Sequence, residues 1–99
     1  MAQVIWTGPA RRDLRDIHRF IARDSKRNAD TVVQSIRSAV ERLAEFPESG
    51  RVIPEYENDE YGEIIVSSYR VPYRYRRTRE RVEILLVVHA RRQMRLDGS

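Results

Sequence analysis

Residues 69–76 read Tyr-Arg-Val-Pro-Tyr-Arg-Tyr-Arg, a stretch in which two kinds of side chain alternate. The tyrosines and Val71 would lie on one face of a β-strand and the arginines on the other, because successive side chains in a strand point to opposite faces. This alternation predicts a strand with one face packed on a core and one polar face. Pro72 cannot donate a ladder hydrogen bond, so the strand is either unpaired on one side at this residue or bulged.

Two further strands are predicted beside this one, at residues 63–67 and 82–89. The connections, near residues 67–68 and across residues 77–80, are short enough for antiparallel hairpins. Residues 84–88 read Ile-Leu-Leu-Val-Val, and a run that is apolar on both faces is typical of a central strand with limited access to solvent.

The first half of the chain predicts a short strand, at residues 4–6, followed by two helices. Residues 7–9, Thr-Gly-Pro, provide a capping side chain and a proline suited to a first helical turn. Apolar residues then recur with helical spacing over residues 10–21 and again over residues 29–43. Pro47 should end the second helix, because a proline disfavours helical geometry in the residue before it.

Together these elements predict a single domain over residues 1–99 with the order β-α-α-β-β-β. A helical hairpin packed on one face of a curved, mostly antiparallel sheet would bury every apolar stripe, which is a two-layer α+β fold. The arginines of the first helix fall mostly outside its apolar stripe and are expected on a solvated surface. Six arginines between Arg70 and Arg81 would lie on the open side of the sheet, where we expect a macromolecular partner.

The composition excludes several classes of function. The chain has 99 residues, a formal charge of +4 and no cysteine, so disulfides, thiolate metal sites and thiol nucleophiles are excluded. Its two histidines lie far apart in the sequence, and neither a metal site nor a cofactor is predicted. We see no signal peptide and no membrane-spanning run, and we expect a cytoplasmic protein with no membrane partner.

Arginine dominates the basic residues, since Lys26 is the one lysine among the 19 basic side chains. The planar guanidinium fork suits phosphate and carboxylate better than an ammonium group does. With a pI of about 10.0, the chain is expected to bind an acidic partner, either a nucleic acid or an acidic polypeptide.

Five motifs follow one another in a fixed order along the chain. They are Ile5-Trp6-Thr7, Asp13-Leu14, Phe46-Pro47-Glu48-Ser49-Gly50-Arg51, Tyr69-Arg70-Val71 and Val87-Val88-His89-Ala90-Arg91-Arg92. Their order and spacing resemble those of the RelE/ParE superfamily, the bacterial toxins of type II toxin–antitoxin modules. The resemblance runs from about residue 3 to residue 92, and it implies the same two-layer fold.

The resemblance implies two activities. RelE-like members cleave mRNA in the ribosomal A site, and ParE-like members block DNA gyrase by stabilising its cleaved-DNA complex. The sequence His-Ala-Arg-Arg at residues 89–92 is similar to the His-Gly-Arg-Arg ending of ParE-like chains, with Ala90 in place of glycine. We therefore favour a ParE-like inhibitor that binds DNA gyrase and has no catalytic residues of its own.

The family also implies a cognate antitoxin whose C-terminal tail lies along the toxin surface, over the helices and across the sheet. Because the chain is rich in arginine, we expect this tail to be acidic. Charge-assisted hydrogen bonds to arginine suit such a tail. We predict that the partner contacts are made by Arg70, Arg74, Arg91 and Arg92.

The alternative is a RelE-like ribosome-dependent endoribonuclease, with mRNA and the ribosome as partners. In that hypothesis Arg70 and Arg91 would hold the scissile phosphate and His89 would act as the base. Two departures disfavour it: Asp97 lies about where many RelE-like toxins have a tyrosine, and the middle loop carries acids where several have lysines. A third hypothesis is an inert family member that acts only through complex formation.

Overall fold

A computed structural model describes residues 1–92 of the chain, which form two helices and one sheet. The helices are α1 (Gly8–Ala22) and α2 (Lys26–Glu41), and short 3-10 turns cover Arg42–Ala44 and Arg77–Arg79. The strands are β1 (Gln3–Trp6), β2 (Tyr61–Val66), β3 (Tyr69–Arg76), β4 (Arg81–Ile84) and β5 (Val88–His89). Asp97, which the sequence analysis singled out, lies outside the described residues.

The sheet has the order β1-β4-β3-β2, and β5 pairs with β3 beyond the end of β4. Only the pairing of β1 with β4 is parallel; the other pairings in residues 1–92 are antiparallel. The helices pack on one face, so the predicted two-layer α+β architecture and its order of elements are confirmed. The first part of the predicted strand at residues 82–89 is central, since β4 lies between β1 and β3, but most of the apolar run at residues 84–88 lies beyond the end of β4.

Both helices begin at the capping residues that the sequence provides. The Thr7 hydroxyl accepts a hydrogen bond from the Ala10 N–H at 3.3 Å, and Pro9 lies in the first turn of α1. The Ser25 hydroxyl accepts from the Asn28 N–H at 3.1 Å at the start of α2. These side chains satisfy N–H groups that have no partner within the helix, which fixes where each helix starts.

The core lies between the helices and one face of the sheet. Val71 and Tyr73 of β3 point into it, so the tyrosine face of the strand is the buried face, as the alternation predicts. The main cluster of core residues with less than a tenth of their surface exposed comprises Ala10, Leu14, Ile36, Val40, Leu43, Val71, Tyr73, Val82, Ile84 and Val87. The arginines of β3 therefore lie on the opposite, open face.

The last predicted strand, residues 82–89, is divided in two because residues 85–87 leave the ladder. Side chains from the start of the chain bond the backbone at this break. The Thr7 hydroxyl donates to the Ile84 carbonyl at 2.7 Å, and the Asp13 carboxylate accepts from the Val87 N–H at 3.0 Å. Asp13 thus satisfies a backbone N–H at the break, and the Thr7 hydroxyl adds a second hydrogen bond to a carbonyl that also accepts from the Thr7 N–H at 3.1 Å.

The same break accommodates Pro72. Glu63 of β2 lies opposite Pro72, but its N–H and C=O both bond to the backbone of Arg51. The backbone of Pro72 therefore faces away from β2 and toward the last predicted strand. Its carbonyl accepts from the Leu85 N–H at 3.0 Å, at the end of β4. The nitrogen of Pro72, which has no hydrogen to donate, therefore lies beside the gap between β4 and β5. Of the two predicted alternatives, a bulge or a strand unpaired on one side, the structure shows the second.

The second strand is longer than predicted, since β2 begins at Tyr61 rather than at residue 63. Gly50, in the loop before β2, has a packing role. Its N–H donates to the Tyr73 hydroxyl at 3.0 Å, and a Cβ there would lie only 2.7 Å from Cε1 of that ring and 2.8 Å from the Glu63 carbonyl oxygen. Position 50 therefore needs glycine, because the backbone of the loop lies directly against the Tyr73 ring.

Candidate partner-binding surfaces

The open face of the sheet carries arginines that are paired with glutamates. The shortest distances between charged atoms are 2.7 Å for Arg70–Glu55, 2.8 Å for Arg70–Glu63, 2.7 Å for Arg74–Glu60, 3.1 Å for Arg76–Glu83 and 3.8 Å for Arg81–Glu83. Four guanidinium groups thus meet four carboxylates. Two of these carboxylates, of Glu55 and Glu60, belong to the middle loop, where the sequence shows acids in place of the lysines of several RelE-like toxins.

Arg70 is buried, with 6% of its surface exposed. Its Nε and Nη2 donate to the Glu63 carboxylate at 2.8 and 3.0 Å, and its Nη2 and Nη1 donate to Glu55 at 2.7 and 2.8 Å. The remaining Nη1 hydrogen is directed at the Arg92 carbonyl oxygen, at 3.1 Å. All five N–H donors of the guanidinium are therefore engaged within the chain.

Those bonds change both the electrostatics and the accessibility of Arg70. Hydrogen bonds to Glu55 and then to Glu63 raise the pKa of the guanidinium above its usual value, so it carries its charge at every pH at which the protein folds. A partner or a phosphate could bind it only by displacing a carboxylate. The predicted contact at Arg70 stays a prediction, and the packing disfavours it.

Arg74 lies about 13 Å further along β3, by strand geometry, and is partly exposed. It donates from Nε to Glu60 at 3.0 Å, and its guanidinium lies 5.7 Å from the centroid of the Tyr61 ring. The hydrogen bond to Glu60 raises the pKa of Arg74. The structure therefore separates Arg74 from the other three predicted contact residues.

Residues 88–92 form a segment that we call the C-terminal arm. Its strand, β5, pairs His89 with Tyr69 and Val88 with Arg70, and the Ala90 N–H donates to the Ser68 carbonyl at 2.7 Å. The side chains of the next two residues of the arm, both predicted partner contacts, are exposed. The structure thus brings together, on one segment, His89 and the arginines Arg91 and Arg92.

His89 has one ring nitrogen engaged within the arm. Its Nδ1 accepts from the Arg91 N–H at 3.3 Å, and its ring meets the Tyr69 ring edge-on at 6.0 Å between centroids. A neutral imidazole whose Nδ1 accepts must carry its proton on Nε2. With this bond, Nε2 of the neutral ring would donate a hydrogen bond, whereas a general base must accept a proton.

A groove of about 1080 Å³ runs between α1, α2 and the edge strand β1. Trp6, Leu14 and Val33 contribute apolar surface to it. Five arginines also line it, namely Arg11, Arg15, Arg19, Arg23 and Arg37. We call this feature the arginine groove.

Four of these arginines form a row along α1, three within the helix and Arg23 directly after its last residue. Residues spaced by four lie on the same side of a helix, with a rise of about 6 Å from each to the next. Within residues 1–92, Arg19 alone among the groove arginines has a carboxylate within 4.0 Å, and that carboxylate, of Asp16, lies at the limit. Unlike the open face of the sheet, the groove thus keeps its positive charge.

The groove also borders backbone groups that no other strand within residues 1–92 pairs. The Gln3 N–H donates to the Glu80 carbonyl and the Thr7 N–H to the Ile84 carbonyl, so odd-numbered residues of β1 face β4. The N–H and C=O groups of Val4 and Trp6 consequently point to the open edge of the sheet. An extended peptide could hydrogen-bond to that edge.

This groove is not among the sites that the sequence predicts. The arginines of α1 are expected on a solvated surface because they fall mostly outside the apolar stripe of the helix. The signal that would have found them is their own four-residue repeat at positions 11, 15, 19 and 23. Among residues 1–92, no three His, Asp or Glu side chains lie close enough together to hold a metal ion.

Comparisons with known proteins agree with this architecture. The sequence model of the ParE toxin of type II toxin–antitoxin systems, parDE, matches residues 4–94. A protein of Sinorhizobium fredii described as "Putative toxin Y4kP" is 38% identical over 93 residues, which cover 92% of this chain and 91% of that protein. Toxin RelE2 of Caulobacter vibrioides is 40% identical over 52 residues, covering 52% of this chain and 59% of that toxin.

A solved structure has the same fold. A chain in the structure of the chromosomal ParDE toxin–antitoxin system from P. aeruginosa superposes with a TM-score of 0.72 at 22% identity, covering 90% of this chain and 96% of that one. In the described part of the chain, neither helix is long and apolar enough to cross a membrane. The match of the family model over nearly the whole length shows that the chain belongs to the ParE toxin family of type II toxin–antitoxin systems.

Proposed function

We propose that this chain inhibits DNA gyrase by binding to it, with no covalent chemistry of its own. The observation that carries the proposal is the engagement of Arg70: the guanidinium that an RNA-cleaving relative would direct at a phosphate is bonded to two carboxylates and a carbonyl. The donor state of the free nitrogen of His89 points the same way. Two of the three residues that a nuclease would use, Arg70 and His89, are thus held in arrangements unsuited to phosphate binding and general-base chemistry, while the third, Arg91, is exposed.

The contacts with gyrase are assigned to the C-terminal arm. Arg91 and Arg92 are exposed, adjacent and carried on a segment that the sheet holds in place. Arg74 is a weaker candidate, because its charge is already paired with Glu60.

The test is an assay with purified gyrase and relaxed plasmid DNA. We expect the protein to block supercoiling and to accumulate cleaved DNA. The double variant Arg91→Glu/Arg92→Glu should need at least tenfold more protein for half-inhibition, since two attractive charges become repulsive. Arg79→Glu, a charge reversal in an exposed turn, is the matched control and should stay within twofold. Unchanged supercoiling with no trapped cleaved DNA for the parent protein would refute the proposal.

We further propose that the cognate antitoxin neutralises the chain by laying an acidic, partly apolar tail in the arginine groove. The rim offers five guanidinium groups, the floor is apolar, and the edge of β1 offers unpaired backbone groups. These features suit a segment that combines carboxylates, apolar side chains and an extended backbone.

Titration calorimetry with the tail of the antitoxin encoded beside this gene tests the groove. Arg15→Glu/Arg19→Glu should weaken binding at least tenfold and should reduce its dependence on salt, because exposed charges in the groove are screened by ions. Arg79→Glu again serves as the control. Equal affinities for the parent protein and the groove variant would place the tail elsewhere.

A RelE-like endoribonuclease remains the second candidate. It is favoured by the identity with Toxin RelE2 and by the proximity of His89 to Arg91 on the arm. Primer extension on translating mRNA separates the two, since cuts in register with codons would support the nuclease and uncut mRNA would support the gyrase inhibitor.

A further inference from the structure

One buried guanidinium joins three separate segments of the chain. Through Glu63, Arg70 is bonded to β2, and through Glu55 it is bonded to the loop that precedes β2. Through the Arg92 carbonyl it is bonded to the far end of the C-terminal arm. This arrangement differs from the phosphate-binding role that the resemblance implied for the residue.

The chemistry of the contact requires arginine. A guanidinium presents five N–H donors in one rigid plane, whereas an ammonium group offers three donors from a single atom. Here the plane serves two carboxylates and a carbonyl at once, with side-chain exposures of 7% for Arg70, 15% for Glu55 and 0% for Glu63. Such bonds are stronger away from water, because little solvent competes for the donors.

The arm depends on this contact because it has few others. Its strand, β5, has only two residues, and beyond them the Ala90 N–H bonds to Ser68. The Arg92 N–H bonds back to the His89 carbonyl, within the arm itself. Among the described residues, the bond from Arg70 to the Arg92 carbonyl is thus the outermost hydrogen bond between the arm and the rest of the chain.

We propose that Arg70 is a positioning residue: its guanidinium fixes the C-terminal arm and thereby the direction in which Arg91 and Arg92 are displayed. The effect on gyrase rests on the proposed function, whereas the effect on the arm does not. Arg70 itself touches no target.

The first test measures the arm directly by amide hydrogen exchange in the full chain. In Arg70→Lys we expect the amides of Ala90 and Arg92 to exchange at least tenfold faster, while the Leu85 amide at the end of β4 changes by less than twofold. Arg77→Lys, in which an exposed arginine paired with Glu48 is replaced, should leave both arm amides unchanged. Unaltered arm amides in Arg70→Lys, or equal acceleration of all three amides, would overturn the proposal.

A second variant covers the case in which Arg70→Lys does not fold. Glu55→Gln keeps the ion pair between Arg70 and Glu63 but weakens the hydrogen bonds from Arg70 to residue 55. We therefore expect the hydrogen exchange of the Arg92 amide to become about threefold faster in a folded protein. Unchanged exchange at that amide would also count against the proposal.

The third measurement is a double-variant cycle on gyrase inhibition. Arg70→Lys should raise the concentration for half-inhibition about tenfold, and adding Arg91→Ala should then cost clearly less than it does in the parent protein. A purely structural role for Arg70 would give independent effects that multiply, which would overturn the proposal. If the parent protein does not inhibit gyrase at all, the proposed function is wrong, but the role of Arg70 in fixing the arm is still tested by hydrogen exchange.

Discussion

Replacing Glu63 by glutamine tests how much the buried ion pairs on the open face of the sheet stabilise the fold. Glu63 is fully buried and accepts from Arg70 at 2.8 and 3.0 Å, with the Arg51 guanidinium at 3.4 Å. Glutamine has nearly the same shape, so the change removes one negative charge without leaving a cavity. One of its two terminal atoms becomes an NH₂ group, which would meet the guanidinium donor to donor.

The magnitude follows from the burial of the pair. Removing one member of a buried ion pair costs about 3–5 kcal/mol, because the remaining charge stays in a dry site without its partner. Arg70 keeps its bonds to Glu55, so we expect the lower end, about 3 kcal/mol. For a domain of this length each kcal/mol lowers the melting temperature by about 4–8 °C, which predicts a fall of roughly 12–24 °C.

Urea denaturation followed by circular dichroism measures this free energy of unfolding. Glu60→Gln is the matched control, because it removes the partner of the more exposed Arg74, and such a pair contributes only about 0–1 kcal/mol. A loss below 1 kcal/mol for Glu63→Gln, or equal losses for the two variants, would show that the buried pair contributes no more than a surface pair. Burial would then not increase the contribution of this ion pair to stability.

Three other substitutions test single contacts in the fold. Gly50→Ala should lower the free energy of unfolding by about 1–3 kcal/mol, because its Cβ would overlap the Tyr73 ring. Gly8→Ala, where a Cβ would overlap nothing, should raise the free energy of unfolding by up to about 1 kcal/mol in urea titrations. Asp13→Ala should cost about 1–3 kcal/mol by leaving the Val87 N–H unpaired, and Asp13→Asn, which keeps an acceptor, should cost clearly less in the same titration. Hydrogen bonds from His18 and Lys26 lower the pKa of Asp30 in the folded protein. Its stabilising contribution is therefore present above the unfolded-state pKa and is lost as the pH falls through the folded-state pKa. Asp30→Asn should remove that part of the acid dependence of the melting temperature, and an unchanged dependence at acidic pH would contradict this.

The secondary structure could be predicted because its signals are local. Capping residues, apolar periodicity and the alternation over residues 69–76 each depend on neighbours in the sequence. Where the last strand is divided, its backbone is bonded instead by Thr7 and Asp13, which lie more than seventy positions away in sequence. An apolar run such as residues 84–88 gives no sign of which of its backbone groups a distant side chain will bind.

The site was predicted less well, for a related reason. The alternation correctly placed Arg70 and Arg74 on the open face, but it could not show that Glu55 and Glu60, from the preceding loop, would pair with them. Charge counts show how many cations a chain has and not which of them remain unpaired. The arm residues Arg91 and Arg92 were predicted from resemblance, and the structure places them at the surface.

The distribution of paired and unpaired arginines gives the two layers different electrostatic roles. Residues 8–41, which form the helical layer, contain eight basic and five acidic side chains, so this layer carries three of the four excess positive charges of the chain. The open face of the sheet, in contrast, matches each of its arginines with a glutamate. Long-range attraction of an acidic polypeptide therefore originates from the helices and the arginine groove. In the proposed arrangement, β3 contributes fixed geometry to the C-terminal arm through Arg70, and contacts of the arm with a target would act at short range.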